Sequence, residues 1–147
     1  IDARQVDIRT TGDDDLINIT NVLEGTPVTV AAEDGNDTIQ IGSQAWTGSH
    51  SGGTLNQIAA AIYVDGGSGT NRLLVDDSGE AADTISAAVL TQDSLAGLGM
   101  QGGGIQYVSI SELDIALGAA SDTVAMASTH TGKTILHLGA GDNTGSA

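Results

Sequence analysis

One pattern recurs along this chain and limits what it can fold into. Asp37 has apolar or small residues nine, seven and five positions before it (Val28, Val30, Ala32) and two and four positions after it (Ile39, Ile41). The same frame anchored on Asp15 selects Val6, Ile8, Thr10, Ile17 and Ile19, and anchored on Asn71 it selects Ile62, Val64, Gly66, Leu73 and Val75. On Asp122 it selects Leu113, Ile115, Leu117, Val124 and Met126, and on Asn143 it selects Thr134, Leu136 and Leu138 before running out. A spacing of two sends alternate side chains to one side, so each frame reads as strand, turn, strand.

A unit of this size cannot bury its apolar face alone, but stacked copies can lay one aliphatic rung upon the next. The predicted fold is therefore all-β: a parallel β-solenoid (β-helix or β-roll) forming a single domain over 1–147. Anchors 15 and 37 are 22 residues apart and anchors 122 and 143 are 21 apart, which sets about 21–22 residues per coil. The longer middle intervals predict insertions at about 43–61 and 76–112, with room for one short helical turn within 56–64. Three aromatic residues, Trp46, Tyr63 and Tyr107, leave the core to Ile, Val, Leu and Ala. The 21 glycines and single proline suit many tight turns.

Charge narrows the function. Nineteen acidic residues face four basic ones, a net charge of −15, which opposes nucleic acid and anionic membranes as partners. No apolar run reaches the 18 residues of a membrane span, and without cysteine there are neither disulfides nor thiolate metal sites. The chain opens on Ile1, as expected of a processed protein or an excised segment. Self-repulsion this large favours a gathering cation. Before each anchor stand Thr11-Gly12-Asp13-Asp14, Glu33-Asp34-Gly35-Asn36, Gly67-Ser68-Gly69-Thr70, Gly118-Ala119-Ala120-Ser121 and Gly139-Ala140-Gly141-Asp142. Small residues there free the backbone to adopt positive φ, and stacking would align carboxylates and carbonyls into columns suited to the six to eight oxygen ligands of calcium. The competing reading is that Asp and Asn cap turns by bonding nearby amides.

Gly118-Ala119-Ala120-Ser121-Asp122-Thr123-Val124, Gly139-Ala140-Gly141-Asp142-Asn143-Thr144 and Glu33-Asp34-Gly35-Asn36-Asp37-Thr38-Ile39 resemble the glycine- and aspartate-rich nonapeptide of the repeats-in-toxin (RTX) family. That family builds calcium-bound parallel β-rolls in secreted bacterial proteins. The resemblance implies Asp15, Asp37 and Asp122 as calcium ligands, with Asp13, Asp34 and Asp142 as neighbours able to share an ion. A second acidic group, Asp76, Asp77, Glu80 and Asp83, is either another site or a solvated loop.

Nothing in the spacing of His50, His130, His137, Lys133, Arg4, Arg9 and Arg72 converges on a catalytic centre, and alternation turns His137 outward. A non-enzymatic role follows. Frames that begin at Val6 and stop within a strand predict uncovered ends, hence head-to-tail stacking with other copies or neighbouring modules, as a filament or within a larger surface or matrix protein. Dependence on calcium predicts an extracellular location. The alternative is an adhesin module that binds cell-surface polysaccharide near Trp46; a polysaccharide-acting β-helix enzyme is the less favoured third reading.

Overall fold

Alternating apolar residues and small, polar turns produce thirteen short strands in a computed structural model that describes residues 4–45, 49–81 and 87–146. They are β1 (Val6–Arg9), β2 (Leu16–Ile19), β3 (Val28–Ala31), β4 (Thr38–Ile41), β5 (Ile62–Asp65), β6 (Arg72–Asp76), β7 (Ala87–Leu90), β8 (Ser94–Gly97), β9 (Ile105–Val108), β10 (Glu112–Ala116), β11 (Thr123–Met126), β12 (Lys133–His137) and β13 (Thr144–Ser146). The protein is all-β, with no helix among the described residues. Within 56–64, which had room for a short helical turn, Ile58 makes a parallel bridge to Val22 and Ile62 opens β5.

The strands form two sheets. The first runs β1-β3-β5-β9-β8-β7-β11-β13 and the second β12-β10-β6-β4-β2. All pairings are parallel except β7 with β8 and β8 with β9. The chain passes from the first sheet to the second and back, and each passage lands on the one before it. In the second sheet Ile17, Ile39, Leu73, Leu113 and Thr134 are register partners, as are Ile19, Ile41, Val75, Ile115 and Leu136 one step along. In the first sheet Val28, Ile62 and Ile105 form one rung and Val30, Val64 and Tyr107 the next. Ile39, Leu73, Leu113, Ile62 and Ile105 are fully buried between the sheets. Each such side chain contributes about 1.5–3 kcal/mol of burial energy, so thin aliphatic rungs suffice where aromatic bulk is missing.

Residues 20–27, 55–61 and 98–104 make a third flank. Val22 donates its amide to Gln57 O at 3.0 Å, Ala59 to Val22 O at 2.8 Å and Gln101 to Ile58 O at 3.0 Å, while Val22, Leu55, Ile58 and Leu98 enter the core. Of the first expected insertion, then, 55–61 continues the stacking. Residues 49–53 fold back over the outer face of the second sheet, where Gln40, Leu74 and Asp76 are completely covered. Gln40 Nε2 donates to Ser49 O there at 3.1 Å.

The second expected insertion holds a surprise of phase. Residues 105–108, assigned to it from the sequence, form β9 and continue the first sheet beside β5. Consequently β10 joins the second sheet: Leu113 is partnered with Leu73, not with Ile62 as the frame on Asp122 requires. Strands β7 and β8 wedge in as an antiparallel hairpin, and β11 and β13 stack on β7 in the first sheet. The frames on Asp122 and Asn143 are therefore exchanged between sheets relative to the first three, and their turns lie at the opposite corner. A short turn, Ser109-Ile110-Ser111, causes the shift: it joins β9 to β10 without an anchor of its own and is held by the preceding Asn71, whose carbonyl accepts the Ser111 amide at 2.8 Å.

Candidate functional site

The anchors and the residues just before them build two side-chain ladders, running in opposite directions along the stack. In the inner ladder each anchor reaches back: Asp37 Oδ1 accepts the Asp15 amide at 2.9 Å, Asn71 Oδ1 the Asp37 amide at 2.9 Å and Asn143 Oδ1 the Asp122 amide at 2.9 Å. In the outer ladder the preceding residue reaches forward: Asp14 Oδ1 accepts the Asn36 amide at 2.7 Å, Asn36 Oδ1 the Thr70 amide at 2.9 Å and Ser121 Oγ the Asp142 amide at 3.3 Å. The anchor carbonyls are used as well, with Asp15, Asp37 and Asp122 accepting from Thr38, Arg72 and Thr144, each at 2.8 Å. Turn amides that strand pairing leaves unserved are thus satisfied, which explains Asp and Asn at these positions whether or not a metal binds.

Of the six expected calcium ligands, Asp13, Asp15, Asp34 and Asp37 are brought together in two successive turns at the first corner. Asp122 and Asp142 lie at the second, so no column contains all six. Asp13, Asp34 and Asp142 are exposed, Asp15 is half-buried, and Asp37 and Asp122 are buried at 1% and 2% exposure. The second carboxylate oxygens of Asp15 and Asp37 are buried and have no hydrogen-bond partner. The asparagine anchors place an amide NH2 there instead: Asn71 Nδ2 donates to Gly66 O at 2.6 Å and Ser109 O at 3.2 Å, and Asn143 Nδ2 to Leu138 O at 2.8 Å. An aspartate in the same setting directs a lone pair where asparagine directs N–H, so it calls for a proton or a cation. The Asp15 and Asp37 oxygens are of the type calcium takes, and each would supply one of the six to eight oxygens of its shell.

The second acidic group ties down the first insertion. Asp76 Oδ2 accepts the Ser51 and Gly53 amides at 2.9 and 3.0 Å, Asp77 Oδ1 the Leu55 amide at 3.0 Å, and Glu80 Oε2 the Asn56 amide nitrogen at 2.7 Å. Burial tends to raise the Asp76 pKa, but the amide and Ser78 bonds outweigh it and hold the carboxyl below its ordinary value. Burial pushes the Asp77 carboxyl up to about 7, against the pull of the Leu55 amide and with the aid of Glu80, Asp122 and Asp76. Asp83 lies outside the described residues, as does Trp46 with the sugar platform expected around it.

A different constellation, unmarked in the sequence, forms on the outer face of the second sheet. His50 on the covering segment, Asp114 in the middle of β10 and His137 at the end of β12 meet there. His50 Nε2 and His137 Nε2 lie 2.9 and 3.0 Å from Asp114 Oδ1. Arg72 Nη2 hydrogen-bonds Asp114 Oδ2, and Glu112 links Arg72 Nε at 3.0 Å to Lys133 Nζ at 3.1 Å. Burial alone would raise the Asp114 pKa; the hydrogen bonds and charges of His50 and Arg72 lower it, leaving an anion. Alternation did turn His137 outward, as read. The sequence signal that could have found its partners is the register: Arg72, Glu112 and Lys133 share one row, and Asp76 and His137 another. The return of His50 over that face has no comparable signal.

Comparison with protein-family models, with curated proteins and with solved structures finds no match to this chain.

Proposed function

We propose that the chain is a structural module: an RTX-like parallel β-solenoid, stabilised by calcium in its acidic turns and working outside the cell as one unit of a longer stack. The observation that carries this reading is the set of edge strands that no further strand covers among the described residues. Each sheet ends in an edge strand at either end of the stack, β1 and β2 at one and β13 and β12 at the other. Unpaired edges template further strands, and another copy, or a neighbouring module of the same build, continues both sheets at once. Calcium belongs to the aspartate-anchored turns, where Asp15 and Asp37 present buried unpartnered oxygens; Asn71 and Asn143 need none because their own side-chain amide N–H groups serve the turn. Ions that bind the folded state alone stabilise it by mass action, so the module is firmest where calcium is plentiful. The reading is non-enzymatic: its chemistry is holding shape under a large negative charge.

Electron microscopy and sedimentation of the purified chain, in millimolar calcium and then in chelator, test this. Calcium-dependent filaments or oligomers are expected, with a higher melting temperature in calcium. Dispersed monomers in both conditions would defeat the stacking, and identical melting would defeat the calcium sites.

A further inference from the structure

The cluster on the outer face of the second sheet has no part in stacking or in the acidic turns, yet its geometry is that of a ligand set. One donor atom each from His50, Asp114 and His137 lies within 4.8 Å of the others. The two imidazole nitrogens stand 2.9 and 3.0 Å from the shared carboxylate oxygen. In a tetrahedral zinc shell with bonds of about 2.1 Å neighbouring ligand atoms are about 3.4 Å apart, so both contacts lie within about half an ångström of one coordination shell. The rings sit 5.2 Å apart, tilted 62° to one another, and converge without stacking face to face.

Two supports surround the set. Asp76, wholly buried, anchors the segment bearing His50 through the Ser51 and Gly53 amides, and its Oδ1 faces His50 Nδ1 at 3.6 Å. His50 Nδ1 is itself buried with no hydrogen-bond partner, and a carboxylate facing it favours the tautomer that leaves Nε2 as the donor to a metal. Asp114 is held from its other oxygen by Arg72, so Oδ1 is aimed at the imidazoles. The counterpart reading is hydrogen bonding alone, with each imidazole donating Nε2–H to Asp114 Oδ1; a metal takes Nε2 of each neutral ring, whose single N–H then stands at Nδ1. Imidazole nitrogen with a single carboxylate selects first-row divalent ions over calcium, which prefers an all-oxygen shell. His137, with its side chain 54% exposed, leaves the site open to ions from solvent.

We propose that His50, Asp114 and His137 form a site for a first-row divalent transition ion, zinc being its representative, and that the bound ion staples the covering segment to the second sheet. The inference does not depend on calcium binding or stacking. The test is titration of the chelator-stripped full chain with zinc, in excess calcium to occupy acidic surface groups, by calorimetry and melting temperature. Cobalt substitution gives a visible spectrum that reports nitrogen and oxygen ligation directly. One equivalent bound at micromolar Kd or tighter is expected. At zinc a hundredfold above Kd, melting should rise by about 5–10 °C. His137→Ala removes an exposed side chain at a strand end and should fold as the native chain does, yet weaken zinc by more than about tenfold and abolish the melting shift. His50→Ala should do the same. Absence of binding at 100-fold molar excess of zinc, or stoichiometric binding that survives both substitutions, would overturn the site.

Discussion

Asp37 separates the two roles that an anchor carboxylate can play. Its Oδ1 accepts the Asp15 amide at 2.9 Å, while its other oxygen is buried without a partner. Asp37→Ala strands the Asp15 N–H in a part-buried turn, and an unsatisfied buried donor costs about 1–3 kcal/mol. At about 2–4 °C per kcal/mol for a chain of this size, melting should fall by roughly 2–12 °C. Asp37→Asn keeps the acceptor and supplies a donor to the turn, as Asn71 does toward Gly66 O at 2.6 Å. In chelator the Asn variant should therefore melt at or above the native chain, and the Ala variant below it. In millimolar calcium the order of the first two should reverse, because the native chain gains an ion that the Asn variant has lost a charge for. Thermal and urea unfolding followed by circular dichroism read both comparisons. An Asn variant as damaged in chelator as the Ala variant would refute the ladder, and native and Asn variants that keep their order in calcium would refute the ion.

Two further outcomes follow from local geometry. Asp77, raised from 3.8 to about 7 chiefly by burial, contributes stability that is complete below pH 3.8 and is lost as pH rises through 7; in chelator, Asp77→Asn should therefore raise the urea midpoint at pH 8 and lose that advantage toward pH 4. Gly67 has φ of +69°, and an added Cβ would fall 1.8 Å from the Glu33 carbonyl in the neighbouring turn. Gly67→Ala should accordingly pry the first corner apart and lower melting by several degrees, with slowed hydrogen exchange lost at Ser68, whose amide donates to Glu33 O; unchanged protection there would contradict the stacking of these turns.

The strands were legible because alternation is a local signal: Val28 with Val30 and Ile39 with Ile41 mark inward faces regardless of what packs on them. Their pairing was legible for the first three frames, where Asp15, Asp37 and Asn71 repeat the same turn chemistry. It failed at β9 because Ile105 and Tyr107 end in a turn with no Asp or Asn anchor, and the anchor was the mark being followed. A strand that reaches its corner with the help of a neighbouring turn, as Ser111 does through Asn71, leaves no such mark in its own sequence. The acidic turns were visible as acidic turns, but their hydrogen-bond accounting needed the stack. The histidine cluster was invisible for a different reason: His50, Asp114 and His137 belong to three separate passages of the chain, one of which leaves the sheet and folds back over it.

Cysteine cross-linking reads the phase of the stack most directly, because the chain has no cysteine of its own. Tyr63 and Gln106 are register partners on β5 and β9, with both side chains exposed, and adjacent strands place Cα atoms within disulfide range. Tyr63→Cys with Gln106→Cys should oxidise readily to an intramolecular disulfide, while Tyr63→Cys with Asp114→Cys, the pair that one common column of turns would align, should not. The reverse result would contradict this phase.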